Sequence, residues 1–216
     1  MTDFRPSIED ANEARSQIEE GISRVRDFLP KDKDVKVGLG WTEREFTKEK
    51  MKGASGMAYS GTYIEIDFNS NVEGWKDAIL GTAVHETTHS FFYEKIGFNH
   101  EHDQLPIWRY IIDEALTQNI TEKIAPEASE PWRKEHSKQK IAEYWEKIKE
   151  EELDRNYQFP DPLYINKNEG GYPNWLGYSM SYLIGKELLK EYRPEDFPEL
   201  EKEDVITAGN QIFNKD

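Results

Sequence analysis

Between Gly74 and Lys95 the sequence sets two histidines, His85 and His89, four residues apart in a segment that is apolar in most directions. On a helix of about 3.6 residues per turn that spacing puts both imidazoles on one face, one turn apart. Trp75, Ile79, Leu80, Val84, Phe91 and Phe92 cover most other directions, while Lys76, Thr87 and Glu94 leave one narrow polar stripe. Such a helix must be buried on most sides. Its histidine face also carries Ala78, Gly81 and Phe92. Two imidazoles on a buried face of small residues need polar partners, because an unpaired buried polar group is costly. One reading is a core pair satisfied by ordinary hydrogen bonds. The other is a pair that shares a metal ion.

The rest of the chain supplies an α+β setting for that helix. Ser7 is placed to cap a first helix running to about Leu29, with Ile8, Ala11, Ala14, Ile18, Ile22, Val25 and Leu29 as its apolar stripe and Pro30 as its stop. Asp34 to Trp41 reads as a short strand through the alternation of Val35, Val37 and Leu39. Residues 42–60 read as a polar helical turn followed by a loop rich in Gly53, Gly56 and Gly61. Thr62 to Phe68 is the clearest strand, built of β-branched and aromatic residues between turn signals. After the histidine helix come a loop from Gly97 to Pro106 and a helix from Ile107 to about Ile124, stopped by Pro126. A charged amphipathic helix is expected over residues 129–153. Pro160, Pro162, Gly170, Gly171 and Pro173 then mark a long loop, and two helices follow at about Asn174 to Tyr192 and Glu203 to Phe213. Many helices with a small sheet ahead of the histidine helix mean an α+β fold.

Composition narrows the chemistry. There is no cysteine, which removes disulfide scaffolds, thiol nucleophiles and cysteine-type zinc sites. A net charge of −15 repels phosphate backbones and anionic lipid surfaces, so neither nucleic acid nor membrane is expected as a partner. The start, Met1-Thr2-Asp3-Phe4-Arg5-Pro6, lacks the apolar run of a signal peptide, and no stretch approaches the ~20 apolar residues of a membrane span. The expectation is a soluble, cytoplasmic protein of one domain, residues 1–216, with its oligomeric state open.

His85-Glu86-Thr87-Thr88-His89 matches H-E-x-x-H. Imidazole nitrogens bind zinc at about 2.0–2.1 Å, and zinc can bring the pKa of a bound water to about 7. Glu86 is rotated about 100° from His85, which suits it to take a proton from that water rather than to join the ligands. A catalytic zinc usually keeps three protein ligands and one open position. The metzincin pattern asks for a histidine at position 95, which is Lys95, so that pattern fails. On the next helix Glu114 shares a face with Ile107, Ile111 and Gln118, and is the candidate third ligand, with Asp113 as the alternative. His100 and His102 lie in a charged loop and read as simply exposed.

With Glu114 downstream of the histidine motif, the chain resembles the gluzincin branch of zincin metallopeptidases, closest to small soluble predicted zinc proteases of uncharacterised substrate. Trp175-Leu176-Gly177-Tyr178 adds to the resemblance, which covers roughly residues 61–190. It implies a zincin-like fold, a zinc cofactor, and a peptide or protein substrate that pairs with an edge strand, here Thr62 to Phe68. Many gluzincins carry an Asp four residues after the glutamate ligand to orient a histidine. This chain has Gln118 there, whose amide oxygen can also accept an imidazole N–H. Tyr178 and Tyr182 stand one turn apart as oxyanion donors. Tyr178 ranks first because it follows Gly177 near a loop mouth and matches the family's Gly-Tyr element. The expected activity is peptide-bond hydrolysis with Glu86 as general base. A zinc-binding regulatory or peptide-binding module with little general protease activity is the second reading, and a structural helical protein with a chance motif is the third.

Overall fold

The structure, a computed structural model, describes residues 6–128, 130–165 and 171–214. The opening residues 1–5, Ser129 and Gly170, on which parts of the sequence reading fall, lie outside the described residues. The fold is α+β: mostly helical, with one three-stranded sheet ahead of the histidine helix. Its residues group into two compact units, one made of residues 1–101 and 120–130, the other of residues 102–119 and 131–216. Among the described residues, no helix is long and apolar enough to cross a membrane.

The first unit begins with α1 (Ile8–Phe28), capped by a reciprocal pair in which Ser7 Oγ accepts from the Asp10 N–H and the Asp10 carboxylate accepts from the Ser7 N–H. A cap of this kind is worth about 1 kcal/mol. β1 (Lys36–Trp41) follows, then the short α2 (Glu45–Glu49), β2 (Ala54–Ser60) and β3 (Tyr63–Phe68). The strand order is β1-β3-β2, with β1 parallel and β2 antiparallel to β3. This overturns two expectations. Residues 54–60 are a strand, not loop, and the strand at Thr62 to Phe68 is the centre of the sheet, so β1 and β2 are its edges. Glycines masked β2. A Cβ on Gly56 would fall 2.5 Å from Glu86 Cγ and 2.7 Å from Thr82 Cγ2, so glycine is there because the sheet lies close against the next helix.

That helix, α3 (Trp75–Ile96), ends in a left-handed Gly97, and every residue from Ala83 to Tyr93 is buried. Even the polar stripe is mostly enclosed. Thr87 is buried, and Glu94 is held by Lys31 Nζ at 2.6 Å, leaving Lys76 as the exposed member. α1 packs on α3 where Gly21 faces Ala83. The C-terminal turn of α4 (Ile107–Ile124) and the loop after it complete this unit. Arg24 of α1 donates to Ile124 O at 2.9 Å and to Glu127 Oε1 at 2.6 Å, which fixes where that loop begins.

In the second unit, the residues of α4 up to Asn119 meet α6 (Leu176–Leu188). Gly185 comes so close to the Ala115 carbonyl that a Cβ would sit 2.5 Å from it, and Asn119 Nδ2 bridges Ala115 O and Tyr182 O. The single helix expected over 129–153 is a 3-10 turn at Pro131–Lys134 followed by α5 (Lys138–Glu151), which Ser137 caps. Proline at the start of the turn and a fresh N-cap six residues on explain the break. α7 (Lys202–Phe213) packs on α5 around Trp145, whose indole lies against Gly209 and donates to Asn210 Oδ1 at 2.9 Å. Ahead of α6, Asp161 is fully buried and clasped by the Arg155 guanidinium at 2.7 and 3.0 Å. That contact, outweighing desolvation and aided by Glu152, raises the Arg155 pKa.

Candidate metal centre

His85 and His89 project from one face of the most enclosed stretch of α3. Their Nε2 atoms stand 3.1 Å apart, with the rings edge to face at 74°. Two nitrogens held at about 2.0–2.1 Å from one tetrahedral ion stand about 3.3 Å apart, so the facing nitrogens already have the spacing of a shared ligand pair. Tyr93, one further turn along, stacks its ring on His89 at a centroid distance of 5.9 Å. The other nitrogen of His85, Nδ1, lies 2.8 Å from Glu130 Oε1, and both side chains are nearly enclosed. An ionised carboxylate only accepts, so a neutral His85 that donates to Glu130 carries its hydrogen on Nδ1 and keeps the Nε2 lone pair for a metal.

Glu86 is buried beside them, its Cγ against Gly56 of β2. Its charge reaches Tyr59 of the same strand. Desolvation, the Glu65 carboxylate, Asp67 and Glu86 together raise the Tyr59 hydroxyl pKa above its ordinary value. Of the loop histidines read as exposed, His102 is exposed, but His100 is half-buried against the rings of Tyr93 and Phe98, with its N–H bonded to Tyr59 O.

Glu114 and Asp113 are both buried on α4. Gln118, one turn beyond Glu114, does not serve an imidazole. Its Nε2 donates to Glu114 Oε2 at 3.2 Å and to Tyr178 O at 3.1 Å, while its Oε1 makes no hydrogen bond among the described residues. One amide therefore ties Glu114 to the first turn of α6. On that helix Tyr178 is half-buried between Trp132 and Tyr164. Tyr182 is buried, its ring approached by Lys186, Lys134 and Arg133 at 4.5, 5.5 and 5.8 Å. Gly177, just before Tyr178, is required by Tyr164, since a Cβ there would strike that ring at 2.8 Å.

One ligand atom of each of His85, His89 and Glu114 lies within 4.8 Å of the other two, so these three buried side chains form a group that can hold a metal ion. Two imidazoles and a carboxylate are a donor set that suits zinc. Sequence reasoning missed Glu130, Gly56 and Tyr93. Tyr93 is signalled by its i+4 step from His89, whereas Gly56 reads as a loop residue between Ser55 and Met57. No local pattern marks Glu130.

The fold and these side chains define a mostly helical α+β protein with a candidate metal centre. The chain belongs to the family described as predicted Zn-dependent protease (DUF2268), whose model matches residues 14–207 and so runs through both compact units. No curated protein and no solved structure matches it significantly.

Proposed function

We propose that this protein is a zinc-dependent peptidase of gluzincin type, acting as a single catalytic domain, in which His85, His89 and Glu114 hold the metal and Glu86 is the general base. The observation that carries this reading is the grouping of those three ligand atoms on buried side chains, with the two imidazole nitrogens 3.1 Å apart. Two imidazoles and a carboxylate that converge in a buried place are a donor set that a divalent cation fits.

A bound zinc supplies a Lewis acid for the carbonyl and an acidified water. The Glu86 carboxylate takes the proton from the attacking water and returns it to the leaving amine nitrogen. Tyr178 is the candidate hydroxyl donor to the carbonyl oxygen as that oxygen gains charge, with Tyr182 one turn behind it. The substrate strand is assigned to the β2 edge, because β3 has neighbours on both sides and Gly56 sets β2 against Glu86.

The test is Glu86→Gln on the purified zinc-loaded protein. Zinc content is expected to stay at the wild-type level while cleavage of a peptide library is lost. A variant that cleaves as fast as wild type removes Glu86 from the mechanism. A wild-type protein that binds zinc but cleaves nothing favours a regulatory zinc module instead.

A further inference from the structure

Glu130 has no place in the proposed reaction, yet its Oε1 lies in hydrogen-bond contact with His85 Nδ1 at 2.8 Å. Two features of the first unit deliver it. Arg24 clamps the chain just after α4 through Ile124 O and Glu127. Ala128 then lies directly on α3 one turn before His85, in the space a side chain at Gly81 would need, since a Cβ there would come 2.2 Å from Ala128 Cβ. Two residues later the chain reaches Glu130, whose side chain is 5% exposed. The small residue on the histidine face thus makes room for the loop that brings the carboxylate.

Gln118, whose amide oxygen the sequence offers as an acceptor for an imidazole N–H, instead uses its amide nitrogen on Glu114 and Tyr178 O. We infer that Glu130 is the positioning residue of the metal centre: it holds His85 in the Nδ1–H tautomer and so aims the Nε2 lone pair at the ion. The inference rests on the zinc reading above for its purpose, though not for its geometry. Gln118 orients the glutamate and Glu130 orients the histidine, so the outer support of the site is divided between two residues. Such outer partners fix ring orientation, and their loss typically weakens metal binding about 10- to 100-fold.

Two readouts test this. The first is the tautomer of His85 in metal-free protein, from imidazole nitrogen NMR shifts. The second is zinc affinity by competition with a chromogenic chelator, for wild type, Glu130→Ala and Glu130→Gln. Wild type is expected as Nδ1–H. Glu130→Ala is expected to move His85 toward Nε2–H and to weaken zinc binding about 10- to 100-fold. Glu130→Gln can still accept the same hydrogen through its amide oxygen, so it should recover most of both. The inference is overturned if metal-free wild type is already Nε2–H, a measurement that needs no variant to fold. It is overturned as well if Glu130→Ala binds zinc as tightly as wild type, or if Glu130→Gln falls as far as Glu130→Ala. A wild-type protein with the Nδ1–H tautomer that binds no zinc would instead sink the peptidase reading and leave the hold of Glu130 on His85 standing.

Discussion

Gly56→Ala should be a small substitution with a large effect on turnover. The added Cβ would meet Glu86 Cγ at 2.5 Å, Thr82 Cγ2 at 2.7 Å and the Glu65 carbonyl at 3.0 Å. Carbon atoms in ordinary contact sit about 3.5–4.0 Å apart, so the Glu86 and Thr82 side chains, or the helix that carries them, must move by roughly 1 Å. The sheet side cannot yield, because Glu65 O belongs to the central strand. The strain falls on Glu86 and Thr82. Overpacking of this sort costs about 1–3 kcal/mol, and each kcal/mol lowers Tm by about 2–4 °C in a chain of this size. A general base displaced by about 1 Å can lose roughly 100-fold in rate. Neither histidine is among the atoms the new methyl meets, so zinc should stay bound. The assay is kcat/KM on a fluorogenic peptide beside zinc content and thermal unfolding. Unchanged Tm and unchanged turnover would refute the claim that the sheet is pressed against the Glu86 carboxylate.

Tyr178→Phe keeps the ring packing against Trp132 and Tyr164 and removes only the hydroxyl. Loss of one oxyanion donor should lower kcat by about 10²–10³ with KM and zinc affinity unmoved, and a normal kcat there with a lowered one in Tyr182→Phe would transfer the role to Tyr182. Lys31→Met strands the buried Glu94 carboxylate, which now takes Lys31 Nζ at 2.6 Å and the N–H groups of Asp32 and Lys33, and urea unfolding at neutral pH should show a loss of about 3–5 kcal/mol. Burial raises the Glu94 pKa, but its hydrogen bond to Lys31, the Lys31 charge and the two backbone donors outweigh that and hold it below its usual 4.5. A lowered carboxylate pKa gives stability that is present above the unfolded value and lost as pH falls through the folded one. The gap between wild type and Lys31→Met should therefore narrow below about pH 4.5, and a gap constant into acid would contradict the pairing.

The histidine helix was legible because its apolar residues cover nearly every direction and its polar ones recur at a metal-ligand spacing. Helices such as α1 and α4 were legible to within about two residues through caps and proline stops. β2 was not, since the glycine that lets it approach α3 is also a loop signal. Sheet order was equally hidden. Strand propensity marks β3 as the strongest strand, which suits a centre better than an edge, but propensity does not order strands. Glu130 could not be read at all, because it lies 45 residues from His85 in sequence and tertiary packing brings the two together.

The proposed activity requires a single ion held by His85, His89 and Glu114. The most direct measurement is zinc content with X-ray absorption on wild type, His85→Ala, His89→Ala and Glu114→Ala after equal exposure to limiting zinc. One equivalent bound through two imidazole nitrogens and a carboxylate oxygen, lost or sharply weakened in each variant, is the expected result. Wild-type zinc content and an unchanged absorption spectrum in Glu114→Ala would contradict it.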